Sequence, residues 1–373
     1  MTKKHLTLWL VLGLGLPWFP GVTSPSVLAA EPVKARPLRV SVDPRVELVS
    51  LIFCLAGNPE YGRGRVASYQ EDARKHFKPY EEHAVVKLAR KLRNTRGVSF
   101  DAPMSLAVYL TDAEKLRERV PFDPRPDGLD NRWPLDGLRQ FLEEGRKFVR
   151  EARFQEFLTS HRPLFETAET RMKSLLDKEA HLEWYDEFFG AQPQATFTVA
   201  LGLFNGPNCY GSHCRLPDGK TEFYCILGVW KTDDRGLPAF DRGILSTVVH
   251  EFCHSYANPI IDRHKAELQA AGEKIFPHVA SAMGRQAYGN WQTMMYESLV
   301  RACTIRHIRR YRGTVAAWAA TQDDKQRQFL WMGQLVDLLD EYEAQRDRYP
   351  TLEKFAPRIV AFFDKYAASL AKE

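Results

Sequence analysis

The chemistry in this chain starts at His250-Glu251-Phe252-Cys253-His254, an HExxH motif. On a helix, residues four apart share a face, so both imidazoles can reach one metal ion. Glu251 lies about 100° further round the helix. It misses the ion and can still touch a water beside it. Two neutral imidazole nitrogens with a nearby carboxylate suit zinc, which favours tetrahedral nitrogen and oxygen ligation and keeps one position open in catalytic sites. A water at that position is acidified, and Glu251 is its expected general base. Catalytic zinc takes three protein ligands. The residue six beyond His254 is Ile260, so a third histidine at that spacing is excluded. Glu297 is the expected third ligand. It stands in an apolar stretch, 291–311, that reads as a helix, and a carboxylate buried there needs a cation. Arg301, one turn on, is expected to support it from behind. Asp262, His264 and His278 are the alternatives.

Other elements must position these groups. Gly243 to Val249 is small and apolar, as a buried helix should be, and Asn258-Pro259 predicts its end, because proline disfavours helical geometry in the residue before it. Thr196–Phe204 is β-branched and aromatic, a strand pattern. Tyr210–Leu216 and Thr221–Trp230 flank Pro217-Asp218-Gly219-Lys220, a hairpin signal. These strands can set a free edge beside the metal, where an extended peptide could pair. The small polar loop Asn208 to His213 offers Tyr210 and His213 as catalytic donors to a developing oxyanion. Of six cysteines, Cys209 and Cys214 are the disulfide pair to expect first, with Cys225 competing. A zinc site from Cys209, His213 and Cys214 lacks the usual spacing. Cys54, Cys253 and Cys303 read as buried thiols.

Lys3 and Lys4 precede an apolar run to Leu16 and then Ala29-Ala30, the pattern of a signal peptide over residues 1–30. Export to the periplasm or medium is therefore expected, with no stable membrane insertion after cleavage. Of the formal net charge of +5, those two lysines carry two, and no long basic run exists, so nucleic-acid binding is not indicated. Residues 31–190 read as a mainly helical region, with a strand at 38–43, a break at Pro163 and no catalytic constellation. Glu47, Glu60, Tyr61 and His76 read as structural or solvated. Residues 191–373 read as the metallohydrolase domain. Its tail predicts amphipathic helices over 323–346 and 352–370, with Asp323-Asp324-Lys325 on a solvated face. The fold class expected is α+β, predominantly helical, with a small sheet packed on the HExxH helix.

An HExxH motif followed by a helix-borne Glu resembles the gluzincin group of zinc metallopeptidases. The resemblance implies a zincin-like core and no cofactor beyond Zn2+. It implies His250, His254 and Glu297 as ligands and Glu251 as base. More narrowly, the run from His250 to Pro259, with Tyr296-Glu297-Ser298-Leu299-Val300-Arg301-Ala302, resembles an exported bacterial family catalogued as a domain of unknown function. Asp43-Pro44-Arg45-Val46-Glu47-Leu48 and Asn208-Cys209-Tyr210-Gly211 extend that likeness. The surroundings of Glu297 depart from the better-known gluzincins, and no substrate-carboxylate cluster is evident, so exopeptidase activity is not implied. The expectation is an exported zinc-dependent peptidase acting on peptides or proteins, cell-envelope peptides among them. The alternative is a non-catalytic protein that holds a cell-envelope ligand.

Overall fold

The computed structural model describes residues 38–191 and 195–370. The expected signal peptide lies outside them. Leu38-Arg39-Val40-Ser41-Val42 alternates and forms β1 (Leu38–Val42). Asp43 then caps α1 (Pro44–Leu55), its carboxylate accepting the Arg45 N–H at 2.9 Å, and Pro44 stands where a missing N–H is harmless. Seven more helices follow: α2 (Ala67–Phe77), α3 (Ala84–Arg96), α4 (Asp101–Val108), α5 (Leu135–Glu151), α6 (Phe154–Ser160), α7 (Arg162–Glu179) and α8 (Glu183–Phe189). The break expected at Pro163 is present at His161, between α6 and α7, and a second one lies at Arg153. Arg153, at φ 48°, separates α5 from α6, while Pro163 sits in the first turn of α7, where proline is tolerated.

β2 (Ala195–Gly202), β3 (Cys209–Arg215) and β4 (Thr221–Gly228) complete a four-stranded sheet in the order β1-β2-β4-β3. β1, β2 and β4 run parallel, and β3 runs antiparallel to β4 across the turn at Pro217 to Lys220. β5 (Lys231–Thr232) and β6 (Pro238–Ala239) form a small separate pair. The sheet thus recruits β1 from the helical region ahead of residue 190, and the described residues all lie in one compact unit. The fold is α+β and predominantly helical, as expected.

α9 (Leu245–Arg263) carries the HExxH motif and packs on the sheet face that holds Phe197 and Phe223. Phe252 meets Phe197 edge-on at 4.9 Å, and Tyr256 lies 5.3 Å from Phe223. α1 covers the other face, where the Arg45 guanidinium sits 5.5 Å above the Tyr224 ring. Pro259 does not end α9. Ile260 and Ile261 beyond it are buried, and packing outweighs the local penalty. The motif is therefore in mid-helix rather than at a helix end. α10 (Lys265–Arg285), α11 (Trp291–Gln326), α12 (Met332–Ala344) and α13 (Leu352–Leu370) finish the chain. α11 is two arms, 291–312 and 314–326, joined at Gly313, whose φ of 85° and ψ of 173° break the helix. A side chain would be strained there. The helix expected over 323–346 is split accordingly, its start closing α11 and the rest forming α12. No helix among the described residues is long and apolar enough to cross a membrane.

Glu47, in the first turn of α1, is fully buried, and accepts hydrogen bonds from the Tyr69 hydroxyl and, at 3.2 Å, the Phe204 N–H. Burial raises its pKa to about 7 against the pull of those donors. A carboxyl whose folded pKa is raised favours the protonated native state. Its contribution is therefore lost as pH climbs from the unfolded value, near 4.5, through 7. Urea unfolding of wild type and Glu47→Gln should show their stability difference shifting against wild type by about 2–3 kcal/mol between pH 5 and pH 8.

Candidate metal centre

α9 is fixed to the sheet by its aromatic face, and this turns His250 and His254 toward α11. Asn290 caps α11, its side-chain oxygen accepting the Thr293 N–H at 2.9 Å, and so sets where Glu297 emerges. The three side chains converge. Nε2 of His254 lies 3.2 Å from Nε2 of His250 and 3.4 Å from Oε1 of Glu297, and Nε2 of His250 lies 3.6 Å from Oε2 of Glu297. A tetrahedral ion with bonds of about 2.0–2.2 Å has edges of about 3.3–3.6 Å between its ligands. The donor types and the size of the triangle fit one metal ion.

The ligands are held from behind. His254 Nδ1 is 3.2 Å from Asn258 Oδ1, so it donates there and leaves Nε2 free to ligate. Arg301 Nε donates to Glu297 Oε2 at 3.1 Å, the support expected of it. Arg301 also reaches Asp324 at 2.7 Å and the Tyr288 hydroxyl at 2.9 Å, and its guanidinium stacks 4.9 Å from the Phe329 ring. Asp324 was expected on a solvated face. It is 8 % exposed, because the reversal at Gly313 folds the second arm of α11 back onto the first. Asn258, Tyr288 and Asp324 are the supporting residues that sequence reasoning missed. Only Asn258 carried a local signal, one turn beyond His254 on the same face. Replacing it with Ala should weaken metal binding by about 10–100-fold, read by competition with a chelating dye, while the melting temperature stays close to that of wild type.

Electrostatics sort the four groups. With no cation among them, burial lowers the His250 pKa to about 3. Burial works the same way on His254, but the hydrogen bond and charge of Glu297 outweigh it and raise that pKa to about 9. Burial alone would raise Glu297, yet the two histidines and Arg301 hold it well below the ordinary carboxylate range. Glu251 is buried too and is pushed up to about 7, helped by the charge of Glu297. It stands outside the ligand triangle and accepts a hydrogen bond from the Gly211 N–H of β3. β3 passes so close that a Cβ at position 211 would lie 2.6 Å from the Glu251 carbonyl oxygen, which only glycine avoids.

Other expected residues fall elsewhere. Strand alternation carries Tyr210 to the face opposite Gly211. Its hydroxyl is buried without a hydrogen-bond partner, and besides burial the charges of Asp101, Glu60 and Glu251 raise its pKa. His213 packs against Gly128. No hydrogen bond or ion pair joins either residue to the triangle. Residues 209–215 form a strand rather than a loop over the site. Cys209 and Cys214, five apart on that strand, face opposite ways and are not bonded, and no described cysteine forms a disulfide. The same alternation rules out a zinc site from Cys209, His213 and Cys214. Asp262 is engaged by Tyr296 and Gln292, His264 by Glu267, and His278 is exposed, so none is the third ligand.

No match was found among curated proteins or among solved structures. A match to a known family covers residues 134–362, taking in the Asn208 to Gly211 stretch and both ligand-bearing helices but not the Asp43 opening. By that match the chain belongs to the family described as Domain of unknown function (DUF4932).

Proposed function

We propose that the protein is an exported zinc-dependent peptidase of the gluzincin type, acting on peptides or on peptide segments of the cell envelope. The observation that carries this reading is the convergence of His250, His254 and Glu297 with Glu251 beside them but outside the triangle. Two imidazoles and a carboxylate in a compact triangle are the donor set of a catalytic zinc site, whose fourth position is open. When bound there, zinc supplies a Lewis acid for a carbonyl oxygen and lowers the pKa of an adjacent water. Glu251 accepts the proton of the attacking water and returns it to the leaving amine. The Gly211 N–H orients its carboxylate for both transfers. Asn258 and Arg301 keep His254 and Glu297 in their ligating orientation. Tyr210 and His213 make no hydrogen bond or ion pair to the three ligands, and these steps do not require them.

The test is elemental analysis of the purified protein, followed by incubation of the zinc-loaded form with a broad peptide library read by mass spectrometry. About one zinc per chain and reproducible internal cleavages support the reading. A stoichiometric metal with no cleavage at any peptide bond overturns it in favour of a protein that only holds a ligand.

A further inference from the structure

A cavity of about 280 Å³ opens beside His250, between the first turns of α9 and the two arms of α11. Ile305 and Ile308 from the first arm and Ala320 from the second give it an apolar side, and Ser246 and Thr247 add hydroxyls one turn before His250. Its volume is just under the range of about 300–1,000 Å³ usual for small-molecule sites, which suits a single residue of a substrate. Four formal charges line it: Arg301, Arg327, Asp323 and Asp324. Arg301 and Asp324 are bound to each other at 2.7 Å, and Arg301 is further engaged by Glu297. Asp323 is exposed. Arg327 is different. Among the described residues no carboxylate lies within 4.0 Å of its guanidinium. It lines the same cavity as His250, which places its guanidinium beside the ligand triangle.

We propose, resting on the peptidase reading above, that this cavity seats the residue next to the cleaved bond and that Arg327 selects substrates with a carboxylate there. The planar guanidinium pairs with a carboxylate through two parallel N–H···O bonds, and its five donors are otherwise unclaimed by any acid. The apolar wall of Ile305, Ile308 and Ala320 accepts the aliphatic part of the same residue. Asp323 lines the same cavity and is exposed like Arg327, so it offsets part of that attraction and keeps the preference modest, while Asp324 is already neutralised by Arg301. The carboxylate has two sources, a chain terminus or an Asp or Glu side chain, and both present the same group to Arg327.

The test is calorimetric binding to Glu251→Gln protein, which retains the cavity and is expected not to turn over peptide. Three probes are compared: acetyl-Ala-Ala-Ala-Ala with a free carboxylate, its C-terminal amide, and acetyl-Ala-Ala-Glu-Ala amide. At least one carboxylate-bearing probe should bind about five- to tenfold more tightly than the neutral amide, and which one does so identifies the source. Adding Arg327→Gln should bring that ratio to within about twofold of unity, and Arg327→Lys should keep part of it, since lysine retains the charge without the fork. Arg327 is exposed, so these changes leave folding intact. Equal binding of all three probes, no binding of any, or a preference that survives Arg327→Gln overturns the proposal; in the last case the metal and not the arginine holds the carboxylate. The library digest of wild type judges the peptidase reading separately, so the two can fail independently.

Discussion

Glu251→Gln protein is expected to bind zinc as wild type does and to hydrolyse peptides about 10²–10⁴-fold more slowly, the usual contribution of a positioned proton acceptor. The substitution is close to isosteric. A glutamine carbonyl oxygen can still accept the Gly211 N–H that now holds the carboxylate. The buried charge disappears with it, and since burial already pushes Glu251 up to about 7, the neutral amide removes a cost to the folded state. Melting temperature should therefore hold or rise. The measurement is a pair of assays on one preparation, metal content and cleavage rate on a peptide taken from the library digest. Loss of metal together with activity would mean that Glu251 supports the ligands, and full activity in the variant would remove it from the chemistry.

Glu297→Ala should have the largest effect on the site as a whole. Glu297 is 7 % exposed and ends a chain of alternating charge that runs through Arg301 to Asp324. Removing it deletes one ligand and leaves a buried guanidinium with one acidic partner instead of two. Metal content after dialysis should fall from about one ion per chain to near zero, because two imidazoles alone are an incomplete set. The metal-free variant should also be less stable than metal-free wild type by about 2–4 kcal/mol, below the full cost of an isolated buried charge because Asp324 stays. Glu297→Gln separates the two effects. It can keep an acceptor toward Arg301, so stability should largely return while metal affinity does not. Retention of one tight ion in Glu297→Ala would assign the third ligand elsewhere.

What could be read from the chain follows from how local each interaction is. His250 and His254 are one helical turn apart, and the 3.6-residue period alone makes them neighbours. Glu297 was readable because a carboxylate within Met294, Met295, Leu299 and Val300 is anomalous unless a cation meets it. Arg301, four residues on, follows by the same period. Asp324 was not readable. Its partner is brought to it by the reversal at Gly313, and a lone glycine in a helical pattern is weak punctuation. Tyr288 enters from the connection after α10 and had no periodic signal. The cysteine pairing failed for a related reason. Four residues between Cys209 and Cys214 suggest a loop, but pairing with β4 made a strand of them, and an odd offset on a strand separates side chains. Pro259 erred toward local propensity, which the buried Ile260 and Ile261 overrode.

The parallel pairing of β1 with β2 has a kinetic side. Leu38 registers with Phe197 and Val42 with Leu201, and eight helices are threaded between those partners. A contact between segments so distant in sequence forms late, after local helices have collapsed, and such topologies fold slowly. The platform beneath α9 closes only at that stage, so a chain lacking residues 38–43 would leave β2 as a bare edge of apolar residues, and it should collect in inclusion bodies, where the untrimmed chain is recovered in the supernatant.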